Sequence, residues 1–115
     1  MRLRAQVALA LLCLGFAAHA VAADDAQVQQ GQVVFEKWCA PCHAPGPGHP
    51  GTIALDALYQ GKRPGALEQR TDLTPALVKQ FVRRGVSVMP FFRKTEVGDP
   101  ELDALGAYLS KKKKR

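Results

Sequence analysis

The stretch Trp38-Cys39-Ala40-Pro41-Cys42-His43-Ala44-Pro45-Gly46-Pro47-Gly48-His49-Pro50 holds two cysteines, two histidines and four prolines. Its reading decides the fold. A cysteine pair two residues apart serves three chemistries: a zinc site, a dithiol that cycles through a disulfide, or covalent attachment of a cofactor. Each makes a different demand on the rest of the chain.

The chain ahead of this stretch has the layout of a secretory signal peptide. Met1–Arg4 carries two arginines, Ala5–Ala18 is an almost unbroken apolar run, and small residues follow up to Ala23, before Asp24-Asp25. A basic start, a short apolar middle and an A-x-A-like end are read by the export machinery, and the run is too short for a spanning helix. Cleavage after Ala23 is expected, with Ala20 and Ala22 as alternatives. Cys13 is preceded by Leu12, not by the small residue a lipoprotein signal places there, so it is expected to leave with the leader. The expected organisation is a leader over 1–23, one small domain over 24–110 and a basic tail over 111–115, with no transmembrane segment in the mature chain. Export places the mature protein in the periplasm.

The formal net charge of +6 misleads. Arg2 and Arg4 go with the leader, and Lys111–Arg115 holds five more positive charges. Residues 24–110 carry nine basic against ten acidic side chains, a balance of −1. A nucleic-acid binder carries its positive charge on a folded face. Here the charge sits in the leader and the tail, and no nucleic-acid partner is expected.

The pattern over 24–110 is helical. A first helix is expected at Ala26–Trp38, capped by Asp24 or Asp25, with Val28, Gln32 and Phe35 on one side and Gly31 beside them. Glycine inside a helix costs about 1 kcal/mol relative to alanine, so Gly31 needs a reason such as close approach of another helix. Ala44–Gly51 is too rich in proline and glycine for regular structure. Ile53–Tyr59 reads as a short helical turn and Gln60–Arg70 as a loop. A second helix is expected at Pro75–Arg84, with Thr74 as N-cap, Pro75 in the first position and Gly85 as the stop. A third is expected at Pro100–Lys111, capped by Asp99, with Leu102, Leu105 and Leu109 as its apolar stripe and Tyr108 alongside. Val86–Phe92 is a short ambiguous strand candidate, and no run alternates as a strand should.

Zinc would need four ligands, and the mature chain offers Cys39, Cys42 and His49 at most, since His43 lies too close in sequence to add easily. A dithiol is the second reading. Trp38-Cys39-Ala40-Pro41-Cys42 resembles the thioredoxin motif, and Gly85–Phe92 is similar to the segment around that family's cis-proline. That motif has to follow a buried strand and open a helix. Here the residues ahead of Cys39 read as helix, and Pro45, Pro47 and Pro50 oppose a helix after Cys42. A periplasmic thiol oxidoreductase using Cys39 and Cys42 remains the alternative.

The third reading is covalent haem, for which C-x-x-C-H is the attachment signature. Two thiols at this spacing reach the two vinyl groups on one porphyrin edge and form thioethers, which leaves His43 under the iron as an axial ligand. The sixth position then needs a donor. Met89 is the only methionine after the leader. Its thioether is a soft iron ligand, and Pro90 would stiffen its loop. His49 is the competitor and would give a bis-histidine centre.

Helix, CxxCH, loop, helix, Met-Pro and a last helix is the plan of the class I cytochromes c, and the resemblance covers nearly all of residues 24–110. It implies an all-α fold with about three main helices around one covalently bound haem c. Cys39 and Cys42 would be the attachment points and His43 and Met89 the ligands. In that family a glycine and an aromatic of the first helix pack on an aromatic of the last, and Gly31, Phe35 and Tyr108 match. The family also has a proline whose carbonyl receives the histidine Nδ1–H. Pro50 is the candidate here, with Pro47 the alternative.

The resemblance implies an electron carrier, not an enzyme in its own right. It would take electrons from a periplasmic dehydrogenase and pass them to an oxidase or another cytochrome of the respiratory chain. Residues 83–109 also look similar to small cytochromes that serve such dehydrogenases, the cytochrome subunit of p-cresol methylhydroxylase being of that type. Arg83, Arg84, Arg93 and Lys94 flank Met89, and their expected role is to steer the chain toward an acidic partner.

Overall fold

The computed structural model describes residues 24–111. The expected leader with Ala20, Ala22 and Ala23, and residues 112–115 of the basic tail, lie outside the described residues. The order is helix α1 over 24–38, α2 (Ala40–His43), α3 (Pro50–Tyr59), a 3-10 turn (Leu67–Gln69), α4 (Pro75–Arg84) and α5 (Asp99–Ser110). No strand occurs among the described residues. Val86 and Met89 form an isolated bridge across a tight turn, which resolves the ambiguous segment at 86–92. The fold is all-α, as expected, and lacks the strand that a thioredoxin-like dithiol must follow. Among the described residues no helix is long and apolar enough to cross a membrane.

The core lies where α1, α4 and α5 meet. Phe35, Leu105 and Val97 are fully enclosed, with Val34, Val78, Val82, Leu102 and Leu109 around them. Helix α1 reaches α5 at Gly31. A Cβ there would penetrate the Ala104 carbonyl and stand 2.7 Å from the Tyr108 Cβ. Four residues on, Phe35 meets Tyr108 with ring centroids 5.9 Å apart. Close helix approach is the reason a mid-helix glycine required. The buried side of α1 is Gly31, Val34 and Phe35. Gln32, expected there, instead faces solvent and donates to Glu36 at 2.9 Å. Gly106 repeats the device on α5, where a Cβ would come within 3.1 Å of the Pro75 Cα at the start of α4.

The cap of α4 is the expected one: Thr74 Oγ1 accepts from the Leu77 N–H at 3.2 Å, and Gly85 closes the helix with φ +67°. Helix α5 starts one residue early, with Gly98 at the cap and Asp99 inside. The Glu101 carboxylate reaches back to the Gly98 N–H at 2.7 Å and satisfies a donor that the helix start leaves free. Near the other end, the Tyr108 hydroxyl donates to Glu68 of the 3-10 turn, tying α5 to the long connection. Burial first, and then Glu68, push the Tyr108 hydroxyl well above the usual tyrosine range.

That connection is more ordered than its composition suggests. Arg70 is buried, and its guanidinium donates to the Asp72 carboxylate at 2.8 and 2.6 Å and to the Tyr59 hydroxyl at 2.8 Å. Arg63 reaches the same carboxylate at 3.0 Å, and both guanidinium groups lie against the Tyr59 ring at 4.8 and 5.0 Å. The loop is thereby stapled to the end of α3.

The Arg70 hydrogen bonds hold the Asp72 carboxyl down to about 2. A depressed carboxylate contributes stability above its unfolded value, about 3.9, and loses it as pH falls through the folded value. Between pH 5 and 2 the urea midpoint of the native chain should therefore fall more steeply than that of Asp72→Asn, which is already weaker at pH 5. Parallel acid profiles would show that this pair does not contribute.

Candidate functional site

Helix α1 delivers the cysteine segment. The Cys39 N–H donates to the Phe35 carbonyl at 2.8 Å, so Cys39 continues the ladder of the helix that packs on α5. One further turn carries the rest. The N–H groups of Cys42 and His43 both reach the Cys39 carbonyl, at 3.1 and 2.8 Å, and the Ala44 N–H reaches Ala40 at 2.9 Å. Pro41 fits because a first-turn N–H has no helical partner to lose. Both thiols are free, Cys39 half-buried at the edge of the core and Cys42 exposed. Burial, with Cys42 adding to it, pushes the Cys39 thiol up to about 12. Burial lowers the His43 value and so favours the neutral ring, the form that binds a metal.

Helix α3 forms the floor under His43. It begins at Pro50, three residues before the expected turn at Ile53, because a proline at the first helical position is an opener and not a breaker. This places Gly51 against the imidazole. A Cβ there would stand 2.7 Å from His43 Cε1, 2.9 Å from Nδ1 and 2.8 Å from the Cys42 carbonyl oxygen. The His43 Nδ1 is fully buried and has no hydrogen-bond partner. Neither Pro47 nor Pro50 supplies the carbonyl bond that the resemblance implied. Two tethers hold α3 in place. The His49 Nδ1–H donates to the Pro41 carbonyl at 3.1 Å, and the Thr52 hydroxyl donates to the Ala44 carbonyl at 2.8 Å. Gly51 and Thr52 escaped the sequence reading because proline and glycine were taken as loop residues. The signal available was a lone proline followed by apolar residues at helical spacing.

Met89 stands on the turn after α4. Two backbone hydrogen bonds between Val86 and Met89, 3.1 and 2.9 Å, close the turn around Ser87, which takes a positive φ of 54°. At Gly85 a Cβ would lie 2.6 Å from the Met89 carbonyl oxygen and 2.9 Å from the Phe91 N, so the turn folds back over a residue without a side chain. The chain returns to α4 through the Phe92 N–H, which donates to the Val82 carbonyl at 2.8 Å. Phe92 meets Trp38 edge to face at 5.9 Å. The segment bearing His43 and the one bearing Met89 are thus joined through their aromatic neighbours.

The expected basic rim around Met89 is largely neutralised within the chain. Arg83 and Lys94 share Asp99, at 2.7 and 2.9 Å, and Arg93 pairs with Glu96 at 3.4 Å. Lys94, and then Arg83, hold the Asp99 carboxyl below the usual range. Among the described residues Arg84 has no such pair.

A covalently held haem asks for two thiols and a neutral histidine on one turn, a soft second ligand and apolar walls. The turn from Cys39 to His43 presents the first three, and Met89 is half-buried on a neighbouring segment. Elements that carry or adjoin these residues expose Ile53 and Leu58 on α3 and Phe81, Val86 and Val88 around the Met89 turn. These side chains are available as apolar walls for a bound group. The residues fit the group. By contrast, no three histidine, cysteine or acidic side chains gather into a metal cluster among the described residues, so the zinc reading finds no ligand set.

The family model described as cytochrome C oxidase, cbb3-type, subunit III matches residues 26–109, which takes in nearly all of α1 to α5 and every candidate site residue. No curated protein and no solved structure matches the chain.

Gly51→Ala should disturb His43 before it disturbs the core, because one of the groups it meets is backbone that cannot rotate away. The expected result is a loss of about 1–3 kcal/mol in chemical denaturation, with a displaced His43 ring resonance. Native stability with an unmoved His43 resonance would mean that the ring does not rest on Gly51.

Proposed function

The chain belongs to this cytochrome c family, and from that premise we propose that it is a monohaem electron carrier of the periplasm. The observation that carries the reading is the C-x-x-C-H turn itself. It holds two unpaired thiols and a half-buried imidazole, whose burial favours the neutral form, on one turn anchored to the core helix. Cys39 and Cys42 would hold the haem through two thioethers, each thiol adding its S–H across one vinyl double bond with no other product, and His43 and Met89 would ligate the iron. The group would supply single-electron chemistry at a potential that a thioether ligand raises, and ligation by both His43 and Met89 would leave no open position for a substrate.

The remaining residues position and exclude. Gly51 leaves room for the His43 ring, and Gly85 leaves room for the Met89 turn. The apolar side chains of α3 and of the α4 end would keep water from that group, which is one of the levers on its potential. The leader over 1–23 directs export. The donor is a periplasmic dehydrogenase, and the acceptor is an oxidase or another cytochrome of the respiratory chain. The dithiol reading has less support. A redox-active cysteine of a C-x-x-C pair has a lowered pKa, whereas Cys39 is pushed up.

The test is spectroscopic. Met89→Ala should abolish the weak Met–Fe(III) charge-transfer band in the near-red and lower the potential, while the haem stays covalently attached. His49→Ala should leave the band in place. The reverse pattern would make His49 the ligand.

A further inference from the structure

Arg83 was expected on a basic rim, but its guanidinium turns inward. Its Nη1 donates to two backbone carbonyls at once, Phe92 at 3.0 Å and Val97 at 2.9 Å, while Nη2 donates to the Asp99 carboxylate at 2.7 Å. Among the described residues no backbone N–H donates to either carbonyl. Phe92 and Val97 begin and end the returning arm of the segment that carries Met89, and Asp99 opens α5. Val97 is itself among the most enclosed residues of the chain. One side chain at the end of α4 therefore fastens both ends of that arm and the start of the next helix.

From this geometry we infer that Arg83 is a positioning residue that holds the Met89 turn against the body of the protein. The inference rests on the reading of Met89 as axial ligand. The Phe92–Val82 hydrogen bond, the fold-back over Gly85 and the packing of Val97 and Phe92 on the core also hold the arm. Without the guanidinium, two carbonyls lose their donor and the arm is held less tightly. Lysine cannot replace it. Its ammonium is a point donor on a flexible stem, whereas arginine presents a planar fork that meets three acceptors together. Asp99 is the lesser partner, because removing it leaves both carbonyl bonds in place.

The experiment measures imidazole binding to the ferric holoprotein, since imidazole reaches the iron only when the methionine side leaves it. Arg83→Lys should bind imidazole about tenfold more tightly than the native chain, the scale set by losing hydrogen bonds to a charged donor. Its haem should stay attached, and its near-red band should persist without imidazole. Asp99→Asn should change the affinity by less. Leu109→Ala, a core truncation on α5, should lower the denaturation midpoint yet leave the imidazole affinity within about twofold, since a purely global loss of stability does not open one loop. In a Met89→Ala background, Arg83→Lys should add nothing. Native imidazole affinity in Arg83→Lys, or an equal gain in Leu109→Ala, would overturn the role of Arg83. If Met89→Ala itself keeps the near-red band and native affinity, the ligand reading fails instead, and the two failures are told apart.

Discussion

Helix α1 touches α5 backbone to backbone because residue 31 has no side chain. The Ala104 carbonyl and the Tyr108 Cβ occupy the space a larger residue would need. The C-x-x-C-H segment is built outward from that crossing. Phe35 and Tyr108 seal it one turn later, and the Phe35 carbonyl receives the Cys39 N–H. The C-x-x-C-H turn is therefore not a loop laid on the surface but an extension of a helix that closely approaches α5. A covalent cofactor anchored there inherits the rigidity of the core, which suits a carrier that must change oxidation state with little rearrangement.

The segments that carry His43 and Met89 are built by different means. The His43 side is held by sequence-local contacts with the following helix: Gly51 beneath the ring, and His49 and Thr52 bonded to the carbonyls of Pro41 and Ala44. The Met89 side depends on groups far apart in sequence, with Val82 and Arg83 of α4 gripping Phe92, Val97 and Asp99. Trp38 and Phe92 bring the two sides together. The uncovered side chains of Ile53, Phe81 and Val86, and the unpartnered His43 Nδ1, are the places where the polypeptide alone breaks the rules of a satisfied interior. Such local violations are expected at a functional site.

What could be read in the sequence was whatever a short window carries. Thr74, Pro75 and Gly85 bracket α4 through cap chemistry that needs no partner, and C-x-x-C-H declares its chemistry by spacing alone. Gly31 was legible as an anomaly whose cost demanded a neighbouring helix. The errors came where a residue has two local meanings or where a distant partner decides. Pro50 opens a helix, although its neighbours Pro45 and Pro47 made the whole stretch look irregular. Arg70 looked like a loop cation until Tyr59 and Asp72 enclosed it. Arg83 looked like a docking charge because the carbonyls it binds lie nine and fourteen residues away.

Covalent attachment of one haem through both Cys39 and Cys42 is the central claim, and its most direct measurement is the intact mass of the mature protein after acid–acetone extraction. The expected mass is that of the chain beginning near Asp24 plus one haem, with no thiol left to titrate. A haem lost to the acetone phase, or two cysteines that still react as thiols or join in a disulfide, would contradict it.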